Sequence, residues 1–297
     1  MQRAFLLVLL LGASFALAQD APPASPAQTP EQSAPTPATH SDKKQTPLEE
    51  AWELLRTGAQ NKTTDRRVKA IGVLGLVPDN PQARHFAEAA LQDGDSSVRA
   101  AAATALGEME SRLSIPLLKQ RLDDDDTAVV LACAKALLQM KDNAGYEVYY
   151  AVLTGERKAK GSMISEQLKI LHDPKQLAQI GIDEGIGFVP FAGMGYTTYK
   201  MLSKDESSPV RAAAARALAK DPDPQSAKAL GEAVGDKSWI VRKAALDALA
   251  KRGDPKLLKP AIAAMEDEKE IVMYTAAAVV VHLTDVTSGR SRNRPKQ

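Results

Sequence analysis

The sequence predicts an all-α chain, an α-solenoid of about seven stacked helical hairpins preceded by an export signal and a proline-rich linker. Three observations predict it. A motif recurs at a step of about 31 residues, each copy reads as a capped helix with one apolar face, and a second helix-like stretch precedes each copy. Composition narrows what such a body does. The 297 residues carry 38 Lys+Arg against 37 Asp+Glu, so there is no charge excess for coating nucleic acid or holding a membrane through a polybasic face. One cysteine leaves no internal disulfide and no cysteine-based zinc cluster. Aromatics at 4% leave few platforms for stacking bases or sugars.

In chain order, the first element is an address. Arg3 precedes an apolar run from Ala4 to Leu11, and Ala16-Leu17-Ala18 closes it. A basic start, a short apolar core and an Ala-x-Ala end make residues 1–18 a signal peptide cleaved after Ala18. The run falls short of the roughly 20 residues of a membrane span, and no cysteine stands at the cleavage point for a lipid anchor. The pattern is bacterial in style, so the periplasm or the medium is the expected destination. Residues 19–46 then hold Pro22, Pro23, Pro26, Pro30, Pro35 and Pro37 among Ala, Ser, Thr and Gln. Such chain buries too little apolar surface to offset its ordering entropy, so a disordered linker is expected, either a passive leader or a spacer.

Residues 47–284 are the repeat region. Asp95-Ser96-Ser97-Val98-Arg99, followed by alanines and Leu106, recurs as Ser207 to Leu218 and as Ser238 to Leu249. Weaker copies lie at Val68-Lys69, Val129-Val130 and Val272-Met273. An Asp or Ser ahead of the apolar run can cap a helix. Valine, alanine and leucine at three- and four-residue steps give one apolar face, and the alanines permit close approach of neighbours. The preceding helices run from Ala83 to Gln92, Pro116 to Leu122, Gln225 to Val234 and Pro255 to Glu266, with proline where its missing amide costs nothing. Neither helix of a hairpin buries its face alone, and stacking buries both. The hairpins are expected at 47–77, 79–109, 111–141, 143–172, 174–220, 222–252 and 254–284. A basic, disordered tail is expected at 285–297.

The pattern Asp/Ser-x-x-Val-Arg-x-x-Ala-Ala-x-Ala-Leu resembles the HEAT-repeat family, specifically the short-unit kind of phycobilisome-lyase-like HEAT repeats, here in an exported bacterial form. The resemblance covers about residues 47–284 and implies the solenoid fold. For function it implies little, since the class includes bilin lyases, di-iron deoxyhypusine hydroxylases and adaptors without chemistry. The His-Glu motifs with which the hydroxylases bind metal have no matching positions. His40 lies in the linker, His85 and His172 near helix starts and His282 near the end of the last helix, and none precedes a glutamate.

One stretch departs from the repeat. The uncharged segment from Gly185 to Tyr199 falls in the fifth hairpin, whose span exceeds the period by about 15 residues. Its Phe188, Val189, Phe191 and Met194 call for burial, while its glycines and Pro190 oppose a continuous helix. Three readings stand open: a plug between hairpins, a protein-binding lip, and a wedge touching a membrane.

No chemistry is expected. Cys133 lies among apolar neighbours and reads as an inert buried thiol. Asp123 to Asp126 lacks the ligand spacing of a calcium loop and reads as a capping, solvated acidic turn. Lys69, Arg99, Arg211 and Arg242 hold one place after the repeat valine. Stacking aligns them into a row, which is either a structural ladder tying each unit to the next or a basic strip for an acidic peptide. The sequence therefore points to a monomeric, non-enzymatic scaffold in the envelope that uses no cofactor and binds a protein partner rather than nucleic acid. Its expected contacts are Arg99, Arg211 and Arg242 with Phe188, Phe191 and Met194. The alternatives are a lyase-like or chaperone-like accessory for a small hydrophobic ligand, and peripheral membrane attachment through 185–199.

Overall fold

A computed structural model of the chain describes residues 45–154 and 207–289. The signal peptide, the linker up to residue 44, the segment 185–199 and the tail from residue 290 lie outside the described residues.

The described residues are helical throughout, in pairs. The first pair is α1 (Pro47–Ala59) and α2 (Thr64–Gly72), with a 3-10 turn at Val73–Leu76. The second is α3 (Pro81–Ala90) and α4 (Ser96–Glu108). The third is the short α5 (Ile115–Gln120) and α6 (Thr127–Gln139). Next comes α7 (Asn143–Thr154), after which the description resumes at α8 (Ser208–Ala217). The pair α9 (Pro224–Ala233) and α10 (Trp239–Arg252) follows, and then α11 (Leu258–Ala263) and α12 (Glu270–Thr287).

Local chemistry sets these bounds. Thr46 and Glu49 close a capping box on α1, and Asp95, Asp126 and Asp223 each accept an amide at the start of α4, α6 and α9. The second helix of a pair ends on a left-handed residue: Asp79 after the 3-10 turn that prolongs α2, Glu110 after α4, Lys141 after α6 and Gly253 after α10. At the end of α4, Ser111 N–H bonds the Leu106 carbonyl and Glu110 N–H bonds that of Gly107; the same pattern of bonds closes α6. These paired bonds satisfy carbonyls that the helix leaves open and turn the chain into the next unit.

The core is small-residue packing between second helices. Val98, Ala102, Ala105 and Leu106 of α4 are fully buried, as are Val129, Ala132, Cys133 and Leu137 of α6 and Val241, Ala244, Ala245 and Leu249 of α10. A side-chain carbon added at Gly107 would come within 2.8 Å of the Ala136 Cβ, so α4 and α6 touch nearly backbone to backbone.

The order of packing differs from a solenoid read off the chain. Helices α8, α10 and α12 pack in succession, and α2, α4, α6 and α7 do likewise. The last helix, α12, then packs against α1, α2 and the turn Val73–Leu76, so the C-terminal units lie directly against the first one. In space the second helices run α8, α10, α12, α2, α4, α6, a cyclic rotation of their chain order. Three local expectations also change. Helix α12 continues past residue 284 to Thr287, with Asp285 buried, so the first residues assigned to the tail belong to the helix. Val210, expected in the core with the other repeat valines, is 70% exposed on α8. The third is Val68, which does not hold the repeat valine position; Arg66 does, because Ala70, Ile71 and Leu74 are the buried counterparts of Ala102, Ala103 and Leu106.

Candidate functional site

The arginines that follow the repeat valine form the ladder. Arg99 sends Nε and one terminal nitrogen to Asp124 of the next turn at 2.8 and 2.7 Å, and its other nitrogen to the carbonyl of Asp93 at 3.0 Å. Arg242 repeats this with Asp267 at 2.6 and 2.8 Å and with the Asp236 carbonyl at 3.0 Å. Arg211 holds Asp236 at 2.9 Å through both nitrogens. In the first unit the rung is Arg67, not Lys69: Arg67 holds Asp93 twice at 2.9 Å and the carbonyl of Asn61. Each acidic residue also accepts an amide two residues on, at Asp95, Asp126, Ser238 and Lys269. The turn is thereby fixed before the arginine arrives.

These pairs are half or more withdrawn from water. The side chain of Asp124 is 3% exposed and that of Arg99 14%, so Asp124 is no part of a solvated turn. Burial alone would raise the Asp124 carboxyl, but the Arg99 hydrogen bonds and the amide of Asp126 outweigh it and hold it below the usual carboxylate range. Asp93 is held down in the same way by Arg67. Arg99, Arg211 and Arg242 are therefore committed inside the molecule. A partner reaching these guanidinium groups through Nε and the same terminal nitrogen would compete with bidentate bonds already made within the chain.

Lys69 and Arg66 have a different task. Both reach Glu270 at the start of α12, at 3.2 and 2.7 Å. Along the same seam Tyr274 lies over Gly58, where an added side-chain carbon would come within 2.6 Å of the ring, and Asn80 donates to Asp285 at 2.5 Å. These contacts bind residues about 200 apart in the chain.

Glu108 of α4 lies within electrostatic reach of Lys135 on α6 and of Lys243, Asp247 and Lys251 on α10. The residue is exposed as a whole, yet burial of its carboxyl against the protein pushes the pKa above the usual range despite the pull of Lys243. A shallow cavity elsewhere is lined by Lys220, Asp221, Pro222, Lys251, Arg252 and Asp254, a charged lining unlike that of a site for a hydrophobic ligand.

Among the described residues, α7 carries more large exposed apolar side chains than any other helix. Tyr146, Tyr150 and Leu153 recur at four and three residues on one face and are 60%, 46% and 86% exposed, and the two rings stack at 6.0 Å. Sequence reasoning missed this stripe, although the helical spacing was visible. Phe188, Phe191 and Met194 lie outside the described residues.

Among the described residues, no three His, Cys, Asp or Glu side chains converge to hold a metal ion. His85 pairs with Glu88 at 3.3 Å on the surface, Cys133 is buried, and His282 is buried in α12. Helix α12 is long and apolar enough to cross a membrane by length and composition, but 67% of it is buried against its neighbours, as befits a core helix.

Stacked helical pairs tied by an arginine–aspartate ladder define a repeat protein of the α-solenoid class. A family model described as HEAT repeats matches residues 52–144 and 197–280, more than half of the chain, and the chain belongs to that family. Solved structures are similar at low identity. Human deoxyhypusine hydroxylase in complex with glycerol is 15% identical, covering 80% of this chain and 84% of that one at a TM-score of 0.29. The complex of CpcE and CpcF of phycocyanin lyase from Nostoc sp. PCC7120 is 19% identical, covering 87% and 99% at a TM-score of 0.31. No curated protein matches the sequence.

Proposed function

We propose that this chain is a non-catalytic scaffold, exported to the cell envelope, that binds a partner protein as a monomer. The observation that carries the reading is the stripe on α7. A tyrosine pair and a leucine stand in water on one helix face of a body whose other large apolar side chains are mostly packed. Tyrosine presents a broad, stiff surface with a polar tip, and such residues concentrate at protein interfaces. The stripe has a firm base, because α7 packs on α6, whose preceding turn Arg99 ties through Asp124. Export is supported by the pattern of residues 1–18, and Phe188, Phe191 and Met194 enter from the sequence as a second apolar contact. The charged lining of the cavity near Lys220 gives a hydrophobic ligand no support.

The test is crosslinking capture from envelope fractions with the wild type and with Tyr146→Ser/Tyr150→Ser, alongside thermal melts of both. A discrete protein captured by the wild type and lost from the variant at unchanged Tm is the expected result. Equal capture by both, or a large fall in Tm, would show the stripe to be structural and remove the reading.

A further inference from the structure

A buried imidazole stands where the two ends of the array meet. His282 of α12 is 7% exposed. One ring nitrogen bonds the carbonyl of Ala250 at the end of α10, and Nδ1 has no partner, so the neutral ring carries its proton on Nε2. On its own helix the nearest charged group is Asp285, which accepts from Asn80. Asp79, in the turn after the first unit, lies within electrostatic reach of it. Arg252, two residues beyond Ala250 on α10, is engaged with the carbonyls of Asp221 and Asp223.

We infer that His282 is an acid-sensitive latch: protonating its ring loosens α12 from the turn at 77–80 and opens the seam between the C-terminal units and the first one. Protonation places a second N–H on Nδ1, where no acceptor is in place, and a full charge in a site with little water. Burial holds the ring below the ordinary histidine value, and it prevails over the Ala250 carbonyl and over Asp285 and Asp79, which favour the charged form. The sign follows. Above that ordinary value, near 6.5, the ring is neutral whether the seam is closed or open, and closure is undiminished. As pH falls below it, the open seam, with a hydrated ring, takes up the proton first. Closure weakens until the buried value is passed and then stays constant. The inference concerns the seam alone and stands apart from the partner-binding reading.

Hydrogen exchange of the full chain, compared at about pH 7.5 and about pH 5 after correction for intrinsic rate, tests it across the ordinary histidine range. Segments 47–59 and 270–287 are expected to exchange several-fold faster at the lower pH, with 127–139 changing less, and His282→Gln is expected to lose that difference. Unchanged exchange in the wild type, or the same acceleration in His282→Gln, would overturn the latch. Should His282→Gln fail to fold, the wild-type histidine titration by NMR decides: a His282 midpoint at or above the ordinary value overturns it, and one below supports it.

Discussion

Two of the four ladder acids, Asp93 and Asp236, are held by arginines from two sides. Asp93 receives Arg67 on its carboxylate and Arg99 on its carbonyl, and Asp236 receives Arg211 and Arg242 in the same way. Removing one member strands a charge with little access to water, which costs about 3 kcal/mol or more when the pair is buried. Asp124→Ala is therefore expected to lower stability by about 3 kcal/mol in denaturant unfolding, and Arg99→Met/Asp124→Leu by much less. The same carboxylates set the acid limb. Their folded pKa values lie below the ordinary range, so their contribution is present above about pH 4 and lost as pH falls below it. Asp124→Ala should show a shallower acid limb than the wild type. Three rungs were legible from Arg99, Arg211 and Arg242, because valine marks their place. The fourth was hidden, since Val68 invited an alignment two residues out of step. The better signal is the separation from arginine to turn acid, 25 or 26 residues in every rung.

At the scale of elements, α12 is the helix whose surroundings differ most from expectation. Ala276 to Val281 is buried without interruption, and Tyr274, Leu283 and Asp285 are buried as well. A helix that ends a stack carries a polar outer face, whereas one that is apolar all round has neighbours on every side. That contrast was readable in Ala276-Ala277-Ala278-Val279-Val280-Val281, and it argued against an open C-terminal end. The identity of the covering element was not readable, since it depends on Arg66, Lys69 and Gly58 far away in the chain. Gly58 lets α1 close on α12, because its missing side chain leaves room for Tyr274. Gly58→Ala forces that ring or Ala70 to move and is expected to cost about 1–3 kcal/mol, read as a lowered denaturation midpoint. Gly72→Ala, where nothing lies within 4 Å, serves as the control and should not destabilise.

At the scale of the whole molecule, the first and last described units are neighbours, and residues 155–206 join α7 to α8 in the chain. A protease site placed within 155–206 and cut in the folded protein should therefore leave the two fragments together on gel filtration. Both halves of the seam remain: Arg66, Lys69 and Asn80 on one fragment, and Glu270, Tyr274 and Asp285 on the other. Separation of the fragments at low salt would show the seam too weak to act alone. The arrangement also bears on synthesis. A ribosome releases α1 and α2 long before α12, so the face around Gly58 and Ala70 waits about 200 residues for the helix that covers it. A product that stops short of α12 keeps the ladder rungs of its early units yet presents an unfilled apolar flank. Truncated chains should for that reason be the form that aggregates or is degraded, while the finished chain is not.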